Sequence, residues 1–559
     1  IGRDGPVPAE DAALAEQVGE VIERTNALVT LHGTLRAYVH GIVTTDSYNT
    51  AARRMQSELE ALEVRLERQE VRFRGWIGRV AEDPARLDRA LATPGAAGEH
   101  AFYVRETAEQ SQYLMPEPEE ALSAELSLSG ARAWERLRGV VTSQLQAPFS
   151  RDGREELLPI TVVQGYRTRP DPALRRQGYE VEMKAWESVQ EPLAACLNGI
   201  KGTVITLNRR RGREDALHEA LDQARIDRET LSAMLVAMRD AFPTFRRYWQ
   251  AKAKRLGQEA LPWWDLFAPV GSVERRYPFG EARNMIVSEL GAFHGRLGRF
   301  VEHAFQERWI DAEPRAGKRG GAFCMRVPGP KESRILCNYD GSLDEVLTLA
   351  HELGHAYHNE CLREKTPLQR LTPMTLAETA SIFNQTIMTD AVLARAKDPQ
   401  EELAILEAFL TDAGQVVVDI TSRYLFEEEV FARRAEADLS AEDLCDIMLR
   451  AQQDTYGDGL DPRHLNPYMW AWKPHYYSAG LSFYNFPYAF GLLFGLGLYA
   501  RYREQGAAFL ADYDALLAST GEARAADLAG RFGIDLRSPA FWEGSLQVVA
   551  RRVDRYLEI

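Results

Sequence analysis

The sequence predicts a mainly α protein with one small β region, which falls directly before its densest cluster of ionisable residues. Three observations lead there. Apolar residues recur three or four positions apart along most of the chain, as in Leu14, Val18, Val21, Ile22, Leu28, Leu35 and Val39, the spacing that gives a helix one buried face. Strand-like stretches are short and lie beside Gly/Pro turns, above all "GGAFCMRVPGPKESRILCNY" at 320–339. The stretch "TLAHELGHAYHNE" at 348–360 then puts three of the chain's eleven histidines into one segment of helical character.

Composition narrows the function classes. A chain of 559 residues, 45% apolar and 27% charged, has the make-up of a globular protein with more than one folding unit. Its net charge of −15 argues against nucleic acid as the main partner, because phosphate binding needs a cationic footprint. Five cysteines without a CxxC pair fit a reducing compartment, each thiol packed as a small apolar group. The opening "IGRDGPVPAEDAALAEQ" lacks an apolar secretory core, so the expected location is cytoplasmic. "AGLSFYNFPYAFGLLFGLGLYA", residues 479–500, is nearly long enough to cross a membrane. Ser482, Asn485 and Pro487 interrupt it and no positive cluster flanks both ends, so it reads as a buried helix with no membrane contact.

Element by element, the first helix covers residues 10–43, and the break "TTDSYN" offers Asp46 and Ser47 as caps. A second long helix runs through Met55, Leu59, Leu62, Leu66 and Phe73, and helical pattern continues to 146. Pro148, Gly153, Pro159 and Gly165 then break the rhythm, with "LPITVV" strand-like among them. This break suggests an N-terminal helical lobe, 1–150, and a second domain, 151–559, holding the small sheet near 320–340. Helical pattern resumes over 172–255 and 280–310, "LPWWDLFAPVG" at 261–271 is a Pro-bounded aromatic loop, and from Leu343 onward the chain is again helical.

His351 and His355, four apart, share a helix face one turn apart, about 6 Å along the axis. Two imidazoles so placed can converge on one metal ion. Glu352 is offset by about 100°, beside the ion rather than on it, where a base belongs if it must deprotonate an attacking water. His355 and His358 form a rival pair. Only the pair His351–His355 places Glu352 as base, which leaves His358 as a donor behind the ligands or toward substrate.

A catalytic site needs a third protein ligand and one open position. Six residues after His355 stands Cys361, and Glu360 and Glu364 point well round the helix. Glu378, in "TPMTLAETASIFNQ" after a helix start at Thr372–Pro373, lies on a second helix able to pack across the first. Thr375 and Glu378 also fit a T-x-x-E capping box, so the spacing leaves both roles open.

Taken together, "HELGHAYH", "AETASIFN", the upstream "GKRGGAFC" and the downstream "WKPHYYSAGLSFYNFPYAFG" resemble the oligoendopeptidase F and thimet oligopeptidase family of zinc peptidases. The likeness is strongest to the bacterial oligoendopeptidase F branch. It implies a zincin-like, two-lobed helical metallopeptidase with a deep substrate channel, acting on internal bonds of short unfolded peptides. It also implies one Zn2+ held by His351, His355 and Glu378, with Glu352 as general base, and Co2+ or Mn2+ tolerated. Gly321, Ala322 and Phe323 would belong to a strand edge that receives the substrate main chain. His475 and Tyr484 would stabilise the tetrahedral intermediate, with Tyr476 and Tyr477 on the substrate side. Two departures stand out: Gln385 replaces a glutamate usual seven residues after the ligand glutamate, and Phe486 stands where some relatives carry tyrosine.

Two other readings are open. A zinc carboxypeptidase or dipeptidyl carboxypeptidase would need a cationic anchor for the substrate C-terminus, for which Arg315, Lys318 and Arg319 are candidates. A non-catalytic peptide-binding protein would have no use for Glu352, since a structural zinc site needs no base.

Overall fold

Asp11–Thr45 (α1) and Thr50–Val80 (α2) are the two long helices that the apolar spacing predicts. In the computed structural model, which describes residues 5–151, 153–273 and 275–559, they pack Leu14, Val18 and Ile22 against Trp76, Ile77 and Val80. Leu28 and Leu35, expected on the same buried face, are 49% and 45% exposed. Beyond Ile22 the narrow side of α1 at Gly33 and Gly41 turns inward to Pro328 and Met325, while His32 and Arg36 still reach Leu59 and Glu63 of α2. Asn49, rather than Asp46 or Ser47, caps α2, its side chain accepting the Ala52 N–H at 3.0 Å. Asp46 instead accepts the Tyr48 N–H within the turn.

Of "LPITVV", only Leu158 and Pro159 are strand. Gln146–Arg151 (β1) and Arg154–Pro159 (β2) form an antiparallel hairpin turning at Gly153, and Ile160–Gln164 is helical. Ile160 and Val163, three apart, are its buried residues, a helical spacing that the short apolar run conceals.

The chain divides into two compact units that interleave in sequence. One comprises residues up to 114, 275–392 and 498–535; the other comprises 115–274, 393–497 and 536–559. This differs from a single boundary at 150, because packing rather than chain order defines each unit.

In the first unit, Ile310–Asp311 (β3), Phe323–Val327 (β4) and Glu332–Leu336 (β5) form a sheet of order β3-β5-β4. The Gly/Pro turn joins β4 and β5 as an antiparallel pair, with Phe323 opposite Leu336 and Val327 opposite Glu332. The predicted strand therefore starts at Phe323, after Gly321 and Ala322. Leu343–Cys361 (α3) follows, capped by Ser342, whose hydroxyl accepts the Glu345 N–H. Met374–Ala377 (α4) and Thr379–Leu393 (α5) come next, separated by Glu378. Phe383 of α5 packs into an aromatic cluster with Phe293, Tyr499, Phe509 and Tyr513.

The second unit is helical around fully buried Trp186, Trp249, Tyr456 and Trp470. Its core contains the ion pairs Arg175–Asp265, Lys201–Glu427 and Lys252–Glu407. The apolar stretch after residue 479 becomes the helix Phe486–Gln505, with Phe490, Leu493 and Phe494 fully buried. Among the described residues no helix is long and apolar enough to cross a membrane.

Candidate active site

Helix α3 buries Val346, Leu349, Ala350 and Leu353 along one side, which leaves His351 and His355 on a neighbouring face. Their rings lie 4.9 Å apart and nearly perpendicular, at 80°. Glu378 is delivered by a break in the chain rather than from within a helix, since it caps α4 at φ −88, ψ 3 just before α5 begins. Pro373 stands at the start of α4 and Thr375 is buried inside it, so the capping-box alternative does not form.

One oxygen, Glu378 Oε2, stands 3.2 Å from His351 Nε2 and 3.3 Å from His355 Nε2. The three donor atoms lie within 4.8 Å of one another. Donors on a tetrahedral ion with bonds of about 2.0–2.1 Å are about 3.3 Å apart, so two imidazoles and a carboxylate so arranged fit Zn2+. Burial alone would raise the Glu378 pKa, but hydrogen bonds from His351 and His355 outweigh it and hold the carboxyl well below its ordinary range. Burial likewise pulls His351 down, and Glu378 reverses the sign, leaving it raised.

Neighbouring groups fix the three donors. His351 Nδ1 meets Gln385 Oε1 at 3.0 Å. Its proton therefore points at the amide and Nε2 faces Glu378. The Ser381 hydroxyl donates to Glu378 Oε2 at 2.7 Å. Gly354 makes the crossing possible: a Cβ there would stand 2.5 Å from both Ser381 Cα and Ala380 O.

Glu352 is only 7% exposed and lies against the edge strand, one carboxylate oxygen accepting the Cys324 N–H. Its Oε2 has no hydrogen-bond partner among the described residues. Burial raises its pKa, opposed by His355 and His351. A buried carboxylate with one fixed oxygen and one vacant one can receive a proton. Glu352, His351, His355 and Glu378 share a cavity of 760 Å³ with Ala322, Phe323, Cys324 and Arg326.

His358 reaches the same cavity but is 5% exposed, with Nε2 2.9 Å from Thr520 Oγ1 and backbone hydrogen bonds to Leu517 and Ala377. It therefore ties α3 to the residue before Glu378 rather than offering a donor to substrate. Burial pushes it down to about 4.

His475 and Tyr484 belong to the second unit, where their rings are 5.9 Å apart and half-buried. Burial, then the charges of Arg423 and Lys473, push His475 down to about 3, which keeps it neutral near pH 7. Phe483, just before Tyr484, holds a left-handed turn at φ 51, and Glu427 accepts its N–H at 3.0 Å. Tyr476 and Tyr477 are 0% and 2% exposed, one against Phe426 and the other beneath Arg138. Both phenols are thus packed inside the unit, not presented to substrate. Of the proposed cationic anchors, Arg315 donates to both oxygens of Asp311, and Lys318, wholly buried, donates to Asp311 and to the Cys337 carbonyl. Both are already committed.

Ser381, Arg326 and Arg370 escaped the sequence reading. Ser381 had a signal, the i+3 spacing from Glu378; the two arginines are ordinary in sequence and are brought to the cavity by folding.

A helical scaffold carrying two histidines one turn apart, a third carboxylate ligand from a crossing segment and a buried glutamate beside the first histidine defines an HExxH metallopeptidase site. The chain belongs to peptidase family M3, whose profile matches residues 166–548. It is similar to the group B oligopeptidase PepB of Streptococcus agalactiae, 26% identical over 70% of this chain and 65% of that protein. It is equally similar to the chromosomal oligoendopeptidase F of Lactococcus lactis subsp. cremoris, 26% identical over 68% of this chain and 63% of that one. The chain thus spans a little under two thirds of the length of each relative. In fold it matches the oligoendopeptidase-F of Enterococcus faecium with a TM-score of 0.72, at 17% identity over 98% of this chain and 93% of the other.

Proposed function

We propose that the chain is a zinc oligoendopeptidase that cuts internal bonds of short unfolded peptides. The observation that carries this reading is the vacant, buried Oε2 of Glu352 beside three metal donors in a 760 Å³ cavity. A structural zinc site would leave no such group idle.

His351, His355 and Glu378 would hold Zn2+, which when bound supplies Lewis acidity toward water and the peptide carbonyl. The chain's own residues do the rest. Gln385 and Ser381 keep the ligands oriented, and the Cys324 N–H holds the Glu352 carboxylate while its Oε2 stays unpaired. Glu352 accepts the proton of the attacking water and passes it to the leaving amine. The edge strand β4 receives the substrate main chain, which favours extended peptides and tolerates many side chains. His475, neutral, and Tyr484 donate to the developing oxyanion, by analogy worth about 3–4 kcal/mol each. The family motif and their pairing in the second unit support this assignment.

The test is mass spectrometry of a peptide ladder incubated with zinc-loaded protein, with C-termini free or amidated and Glu352→Gln alongside. Internal cuts that ignore amidation and vanish in the variant are expected. Short C-terminal losses blocked by amidation would transfer the assignment to a carboxypeptidase.

A further inference from the structure

We propose that Arg326 and Arg370 form a carboxylate-binding subsite in the metal cavity, so that favoured peptides carry a carboxylate about two residues from the bond cut. The carboxylate is either an acidic side chain or a free C-terminus, and the inference rests on the peptidase reading above.

Both arginines line the 760 Å³ cavity that contains His351, Glu352, His355 and Glu378. Arg326 lies on β4, two residues after Cys324, whose N–H meets Glu352. Residues i and i+2 of a strand face the same way and are separated by about 7 Å. An extended peptide lying along β4 advances at the same rate, which sets the distance of roughly two residues.

Neither guanidinium has a carboxylate partner among the described residues. Arg326 makes no hydrogen bond there, and the charges it feels most are those of Arg370 and Glu360. Arg370 donates through Nε and one terminal nitrogen to the carbonyls of Leu362 and Arg363, at 3.0 and 2.7 Å. That orients its plane without cancelling its charge. The nearest acids are engaged elsewhere: Glu360 with Arg363 at 3.3 Å, and Glu364 with Lys331 at 3.0 Å. Burial pushes both arginines down to about 10, and for Arg326 the charge of Arg370 adds to it.

Two half-buried like charges without a counterion are unfavourable to hold together, and the cost is relieved by an anion. Guanidinium matches a carboxylate with two parallel hydrogen bonds. Val29, Pro328, Leu362 and Leu371 supply apolar wall around them, which reduces competition from water. Arg315 and Lys318 cannot play this part, being paired with Asp311.

The experiment uses four versions of one peptide that the zinc-loaded protein cuts, with Glu or Gln two residues from the cleaved bond and the C-terminus free or amidated. For the wild type, kcat/KM of the best carboxylate form should exceed that of the fully neutral form by tenfold or more. The ratio should collapse toward one in Arg326→Met, fall in Arg370→Met and be partly restored in Arg326→Lys. A ratio is independent of the fraction of folded protein. Loss on Glu→Gln alone assigns the subsite to side chains, and loss on amidation alone assigns it to the C-terminus. A wild-type ratio near one, or an unchanged ratio in Arg326→Met, overturns the proposal. Fluorescence anisotropy of the same peptides on Glu352→Gln protein reads the same ratio as binding. If no peptide is cut the peptidase reading fails, while that binding ratio still decides the subsite.

Discussion

Gly354 and Ser381 meet where the two ligand-bearing segments cross, close enough that a methyl group on Gly354 would stand 2.5 Å from the Ser381 Cα. The glycine between the two metal histidines is thus a packing requirement, and it sets how near Glu378 can come to them.

Gly354→Ala should push α5 away from α3 and carry Glu378 with it. Overpacking of this kind costs about 1–3 kcal/mol. A lower Tm together with loss of bound zinc, measured by metal analysis after dialysis, is expected. Full zinc occupancy with an unchanged Tm would show that the crossing has slack.

Removing the metal with a chelator should abolish peptide cleavage and lower Tm, because a ligand that binds only the folded state stabilises it. Glu352→Gln should keep one zinc per chain and lose turnover, whereas His355→Ala should lose both. Metal-free Glu352→Gln protein would sink that division of roles.

Gln385 contacts His351 through an uncharged oxygen at 3.0 Å. Gln385→Glu should make His351 a more basic ligand and tighten zinc binding about tenfold, while Gln385→Leu should weaken it about 10–100-fold. Competition with a chromophoric chelator measures both. Equal affinities across the series would mean that Gln385 only fills space.

His358, pushed down to about 4 by burial, should make stability depend on pH. Its ordinary pKa is near 6.5, so between pH 6.5 and 4 the unfolded chain binds the proton and the folded chain does not. Stability therefore falls as pH drops through that window, by roughly 3 kcal/mol in all. Thermal melts of chelator-treated wild type and His358→Gln test it, since glutamine cannot take the proton. The gap between the two should narrow toward pH 4; parallel curves would assign the acid sensitivity to other groups.

The metal centre was legible because its ligands on α3 follow covalent helix geometry. A four-residue spacing fixes one face and one turn wherever the helix lies, and the strand pair before it was marked by its own Gly/Pro turn. Shorter signals misled. "LPITVV" carried too few residues to separate period two from a helical period, and Asp46 and Ser47, the expected caps, gave way to Asn49 once the chain turned.

What the sequence determined by itself was local: the helices α1, α2 and α3, the β4–β5 pair, the histidine pair with its neighbouring glutamate, and a short list for the third ligand. Contacts between distant residues were decided by the tertiary structure alone. These are Gly354 against Ser381, the Cys324 N–H on Glu352, His358 turned toward Thr520, and Arg326 beside Arg370. The division into interleaved units is of the same kind. The physical reason is one of range: backbone dihedral preferences act over a few residues, whereas burial and charge act across space, between groups whose separation along the chain does not determine their distance.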